Sequence, residues 1–106
     1  MIISGEARIA GVMGWPVAHS KSPRLHNFWL ERYGIDGAYV PLAVRPDDIT
    51  PALRALAALG FAGVNLTVPH KQAALAVADE VDEAARRAGA VNMIVVKADG
   101  TLKGSN

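Results

Sequence analysis

The sequence predicts a single three-layer α/β domain: a mostly parallel mixed sheet, helices on both faces, and a C-terminal antiparallel hairpin. Three observations carry that expectation. Short apolar runs at 8–14, 38–44, 61–67 and 90–97 alternate with segments whose apolar residues recur at helical spacing. That is the pattern of strands joined by crossover helices. Asp99-Gly100 is a tight-turn dipeptide that folds a last short strand, near Leu102, back on its predecessor. A chain of 106 residues is also long enough for one core without staples.

The elements follow in order. Residues 8–14, RIAGVMG, are short, apolar and closed by glycine, as a first buried strand should be. A loop from Trp15 to Lys21 leads to Ser22-Pro23, read as a helix start with Ser22 as cap and Pro23 at the first position. Leu25, Phe28, Trp29 and Tyr33 then recur at helical spacing, and Gly34 supplies the stop. The run 38–44, AYVPLAV, contains Pro41, which assigns it to a sheet edge.

A second helix is expected over 47–59, with Ile49, Leu53 and Leu56 on one face. Asp47 and Asp48 suit the positive end of its dipole, and Pro51 must then fall in its first turn. The third strand covers 61–67. A short helix from Pro69 to Ala78 follows, then another from Asp79 to Ala88, with Val81, Ala84, Ala85 and Ala88 buried and Gly89 as stop. Residues 90–97, AVNMIVVK, form the fourth strand.

Composition excludes several functions. Eleven basic residues against ten acidic leave a formal net charge of +1, which gives no reason to expect nucleic acid or an anionic membrane as partner. Cysteine is absent, so there are no disulfides and no thiolate metal sites. His19, His26 and His70 match no ligand spacing, and no metal is expected. No apolar run approaches spanning length, and MIISGEARIAG lacks a basic-then-apolar leader pattern, so a cytoplasmic setting is expected.

The chemistry concentrates in Gly63–Lys71, GVNLTVPHK. Asn65 and Thr67 interrupt an apolar strand two residues apart, so they share a face. Pro69 ends the strand and suits a helix start, which puts Lys71 in the first turn, just past the carboxyl end of a strand. Small ligands bind there in open α/β sheets. Partial burial of the Lys71 amine is expected at such an edge. Asn92, a polar residue in an apolar run, needs partners if it is buried.

Four separated pieces resemble one family in order and spacing. They are Gly14–Pro23 (GWPVAHSKSP), Asn65–Lys71 (NLTVPHK), Gly89–Asn92 (GAVN) and Gly104–Asn106 (GSN). The family they resemble is the substrate-binding, amino-terminal domain of shikimate dehydrogenase. That resemblance implies NADP-dependent interconversion of 3-dehydroshikimate and shikimate on the way to aromatic amino acids. It implies that Ser20 and Ser22 hydrogen-bond the substrate carboxylate. Asn65, Thr67, Lys71 and Asn92 would hold the hydroxyl-bearing side, with Lys71 as the catalytic acid/base.

The family continues after the terminal asparagine with threonine and an aspartate that partners the lysine, and then with a Rossmann domain for the cofactor. The resemblance therefore implies a domain cut before both, inactive alone and without bound NADP. Glu83 matches an acidic position placed near the cofactor in the family. Trp15 and His70 depart from the family at positions expected to vary. A quinate/shikimate dual-specificity relative and a non-catalytic small-molecule binding module are the alternatives; two serines in the first motif favour shikimate. Self-association through Leu102 and the fourth-strand neighbourhood is also expected.

Overall fold

The computed structural model describes residues 2–106 and folds the apolar runs into one six-stranded sheet. Its strands are β1 (Arg8–Gly14), β2 (Gly37–Ala43), β3 (Phe61–Leu66), β4 (Glu80–Val81), β5 (Met93–Val96) and β6 (Leu102–Ser105), in the order β2-β1-β3-β5-β6-β4. β1 runs parallel to β2 and β3. β5 runs antiparallel to β3, β6 antiparallel to β5, and β4 parallel to β6. The sheet is thus mixed, and Pro41 does lie on an edge strand.

The helices are α1 (Ser22–Arg32), α2 (Ile49–Ala55), α3 (Lys71–Val77) and α4 (Glu83–Ala88). One face of the sheet carries the main core: Met13, Val64, Leu66, Ile94 and Leu102 meet Ile49, Leu53 and Leu56 of the α2 segment, Ala74 and Val77 of α3, and Ala85 of α4. The opposite face has a smaller cluster of Val12, Val17 and Tyr39 with Ala10 and Leu30 beside it. α1 covers β1 and β2 there.

Several boundaries differ from expectation. Lys21, not Ser22, is the cap of α1, and Ser22 is already helical. Leu25, Phe28, Trp29 and Tyr33 are exposed, and α1 buries no residue completely. The helix is held instead by Asn27, whose amide donates to the Pro23 and Tyr39 carbonyls at 2.7 and 2.8 Å and accepts from the Tyr39 N–H at 2.9 Å. The second helix is a 3-10 turn at Pro46–Asp48 followed by α2, which leaves Pro51 in the first turn as required.

The expected helix over 69–78 starts at Lys71, because the His70 N–H donates to the Thr67 carbonyl at 2.9 Å and closes a turn first. The helix expected from Asp79 loses its first residues to the sheet. Asp79 N–H bonds the Leu102 carbonyl and its carboxylate accepts from the Leu102 N–H, which pulls Glu80–Val81 onto β6. The helix then restarts at Asp82, whose side chain accepts from the Ala85 N–H at 2.7 Å, and ends at Gly89 with φ +68°.

Leu102 is buried, not sticky, whereas Met93 and Val95 of β5 are exposed. Among the described residues no helix is long and apolar enough to cross a membrane. Nor do any three or more His, Cys, Asp or Glu group to hold a metal ion.

Candidate functional site

The strand directions create one crowded rim. The carboxyl ends of β1 and β3 lie there, and the antiparallel β5 brings its amino end beside them, with Met93 opposite Asn65. β6 returns antiparallel to β5, so Ser105 sits opposite Met93 at the same rim. Six of the expected residues, Ser20, Ser22, Asn65, Thr67, Lys71 and Asn92, come from the segments that meet here.

Ser20 lies in the loop leaving β1, and Ser22 is the first residue of α1. The Ser20 hydroxyl accepts from the Ser22 backbone N–H at 3.2 Å, which makes Ser20, rather than Ser22, the side chain that supports the start of α1. Because each hydroxyl both donates and accepts, this leaves the Ser20 O–H able to donate to an anion.

Asn65 is oriented by a residue whose part in the site is invisible locally. The Tyr39 O–H donates to Asn65 Oδ1 at 2.7 Å, and Asn65 Nδ2 lies 3.4 Å from the Asn92 carbonyl. With its oxygen committed to the phenol, the amide presents its NH₂ end to the rim. Tyr39 is itself fixed: 5% exposed, stacked on His26 with centroids 4.2 Å apart, and bonded through its backbone to Asn27. Burial pushes its phenol above the usual tyrosine value, partly offset by the Ser22 side chain. The available signal was a tyrosine in an apolar strand, whose hydroxyl needs a partner when buried.

Thr67 follows β3 directly. Its N–H donates to the Met13 carbonyl at 3.0 Å, and its methyl lies against Gly14. A Cβ added at Gly14 would sit 2.5 Å from Thr67 Cγ2, so glycine at the end of β1 is what lets the two strands finish this close together. Lys71 opens α3 and its carbonyl accepts from the Val91 N–H at 2.9 Å. Its side chain is exposed rather than partly buried, since the described residues put no cover over this part of the rim.

Asn92 is exposed and lies just before β5, not within a buried strand. Its backbone joins two strands, donating to the Ser105 carbonyl and accepting from the Leu66 N–H, each at 2.9 Å. Glu83 takes no part in this network. It sits exposed on α4, paired with Arg86 at 3.3 Å and Arg87 at 3.2 Å.

A depression of about 800 Å³ is lined by Ala18, His19, Ser20, Lys21, Arg24, Leu25 and Phe28. Of the expected site residues it holds Ser20 alone. The polar rim is an open shelf beside it. We read the site from the rim, because the hydrogen-bonding groups converge there and the depression is mostly apolar helix surface.

The sequence and fold of this chain have counterparts in known proteins. A family model described as the shikimate dehydrogenase substrate binding domain matches residues 12–94. The chain belongs to that family. A shikimate dehydrogenase (NADP(+)) from Rhodospirillum rubrum is 66% identical over 105 residues, covering 99% of this chain and 37% of that protein. One from Paramagnetospirillum magneticum is 62% identical over 104 residues, covering 98% and 38%. A shikimate 5-dehydrogenase from Thermus thermophilus, solved in complex with NADP(H) and shikimate, has a TM-score of 0.87 at 41% identity over 93% of this chain and 37% of that one. The chain therefore spans well under half the length of these relatives. It is a shikimate dehydrogenase substrate-binding domain in sequence and fold. Among the described residues no glycine-rich loop links a strand to a helix.

Proposed function

We propose that this chain supplies the shikimate-binding site and the proton-handling lysine of an NADP-dependent shikimate dehydrogenase. The observation that carries this reading is the meeting of Ser20, Ser22, Asn65, Thr67, Lys71 and Asn92 at one rim, with Tyr39 orienting Asn65. Shikimate offers a carboxylate and three hydroxyls. Serine hydroxyls donate to the carboxylate without a competing fixed charge. The outward NH₂ of Asn65, the Thr67 hydroxyl and the Asn92 amide suit the alcohol groups. Such a site rejects an analogue that leaves its polar groups unpaired.

Lys71 then stands where the substrate oxygen changes between carbonyl and hydroxyl. It gives a proton to that oxygen in one direction and takes it back in the other. No redox step is assigned to this chain's residues. By itself the domain binds shikimate without turning it over.

The test is an NMR titration with shikimate, with quinate and NADP in parallel. Expected are shifts at residues of the rim with shikimate and none with NADP. Absence of shifts at millimolar shikimate would overturn binding by this chain alone. Shifts with NADP on another face would overturn the division of labour.

A further inference from the structure

Among the described residues, His70 is the single buried residue of polar or charged type, 1% exposed, and it directly precedes Lys71. Its Nε2 lies 2.7 Å from the carbonyl of Val44, just past the end of β2. A carbonyl can only accept, so Nε2 carries the hydrogen and donates. The bond joins segments 26 residues apart. The His70 backbone is held too: its N–H donates to the Thr67 carbonyl at 2.9 Å and its carbonyl accepts from the Ala74 N–H at 3.0 Å. On the other side, the Lys71 carbonyl accepts from Val91. The start of α3 is therefore pinned from the β2 side by an imidazole and from the β5 side by a backbone bond.

We infer that His70 is a positioning residue for Lys71, and this rests on the reading of Lys71 as the proton-handling group. The Nε2–H bond to Val44 sets the direction in which α3 leaves the end of β3, and with it the point on the rim from which the Lys71 side chain projects. An apolar side chain of similar volume fills the space but leaves the part-buried Val44 carbonyl without its partner, and the helix start shifts to recover one. Small displacements of a reacting group are costly: about 1 Å can lower a rate by about a hundredfold.

The test compares His70→Phe and His70→Gln with Lys71→Ala in the dehydrogenase that carries this domain. The glutamine amide can supply the lost N–H; phenylalanine cannot. Expected for His70→Phe is a kcat lowered about tenfold or more, with the KM for shikimate within about threefold, measured well below its melting temperature. His70→Gln should recover most of that loss. A His70→Phe enzyme with full kcat beside an inactive Lys71→Ala would overturn the inference alone. A fully active Lys71→Ala would overturn the reading of Lys71 and the inference with it. Equal losses in the two His70 variants would show that the hydrogen bond is not the cause. A readout without substitution guards against variants that do not fold: the imidazole nitrogen NMR shifts of this chain should report the Nε2–H tautomer, and the Nδ1–H tautomer would overturn the inference.

Discussion

Lys71 and Tyr39 make opposite predictions at the level of single residues. Lys71 is exposed and its side chain supports no packing, so its replacement should be felt in chemistry and not in stability. In the intact dehydrogenase, Lys71→Ala is expected to lower kcat by about 10²–10⁴-fold with little change in KM; a raised KM at unchanged kcat would make it a binding residue only. Tyr39 is buried and joins Asn65 to α1 through Asn27. Tyr39→Phe should cost about 1 kcal/mol in denaturant unfolding and free the Asn65 amide, weakening shikimate binding.

The raised phenol of Tyr39 also fixes a pH dependence. The folded state favours the neutral phenol more than the unfolded state does. That contribution is complete below the unfolded value of about 10 and is lost as pH rises through the higher folded value. Melting temperatures across that alkaline window should fall more steeply for the parent chain than for Tyr39→Phe. Asn65, Thr67 and Lys71 were legible as candidates because they crowd one strand end within a few residues. Tyr39 was not, because its partner lies 26 positions away and only the pairing of β1 with β2 and β3 brings them together.

Among the elements, α1 shows where periodicity misleads. Its apolar stripe suggested burial, yet Leu25, Phe28, Trp29 and Tyr33 stay exposed while a polar residue makes the attachment. Asn27→Ala removes three hydrogen bonds and leaves the Tyr39 backbone groups unpaired, so it should cost about 2–3 kcal/mol. Phe28→Ser, on the exposed stripe, should stay within about 0.5 kcal/mol. Denaturant midpoints of the two variants decide it, and the reverse order would mean that the stripe, not the asparagine, holds the helix. The β4 segment was misread for a related reason. Val81, Ala84, Ala85 and Ala88 do follow helical spacing, but β6 offers an unpaired edge, and Asp79 fastens the chain to it before the helix can begin. The end of α4 was plain in the sequence, since the Gly89 stop is a local signal, but its start at the Asp82 cap was not.

Across the whole molecule, the two faces of the sheet are unequally covered. The α2, α3 and α4 side holds the main core, while α1 covers only β1 and β2 on the other. Asn65 faces Tyr39 on the α1 side, and Met93 lies opposite Asn65, so Met93 and Val95 point to the same side over β5. They are 41% and 42% exposed, and α1 also exposes Phe28 and Trp29. Apolar surface of this kind favours contact with a second apolar surface over water. We expect concentration-dependent self-association of this chain, visible as a rising weight-average mass in analytical ultracentrifugation. The double substitution Met93→Ser with Val95→Thr should suppress it. Because both side chains stand outside the main core, the domain should keep its fold. If the parent chain stays monomeric throughout, the half-covered sheet is tolerated by water. If the double variant associates as strongly as the parent, contact runs through the α1 stripe instead, and Phe28→Ser should then abolish it.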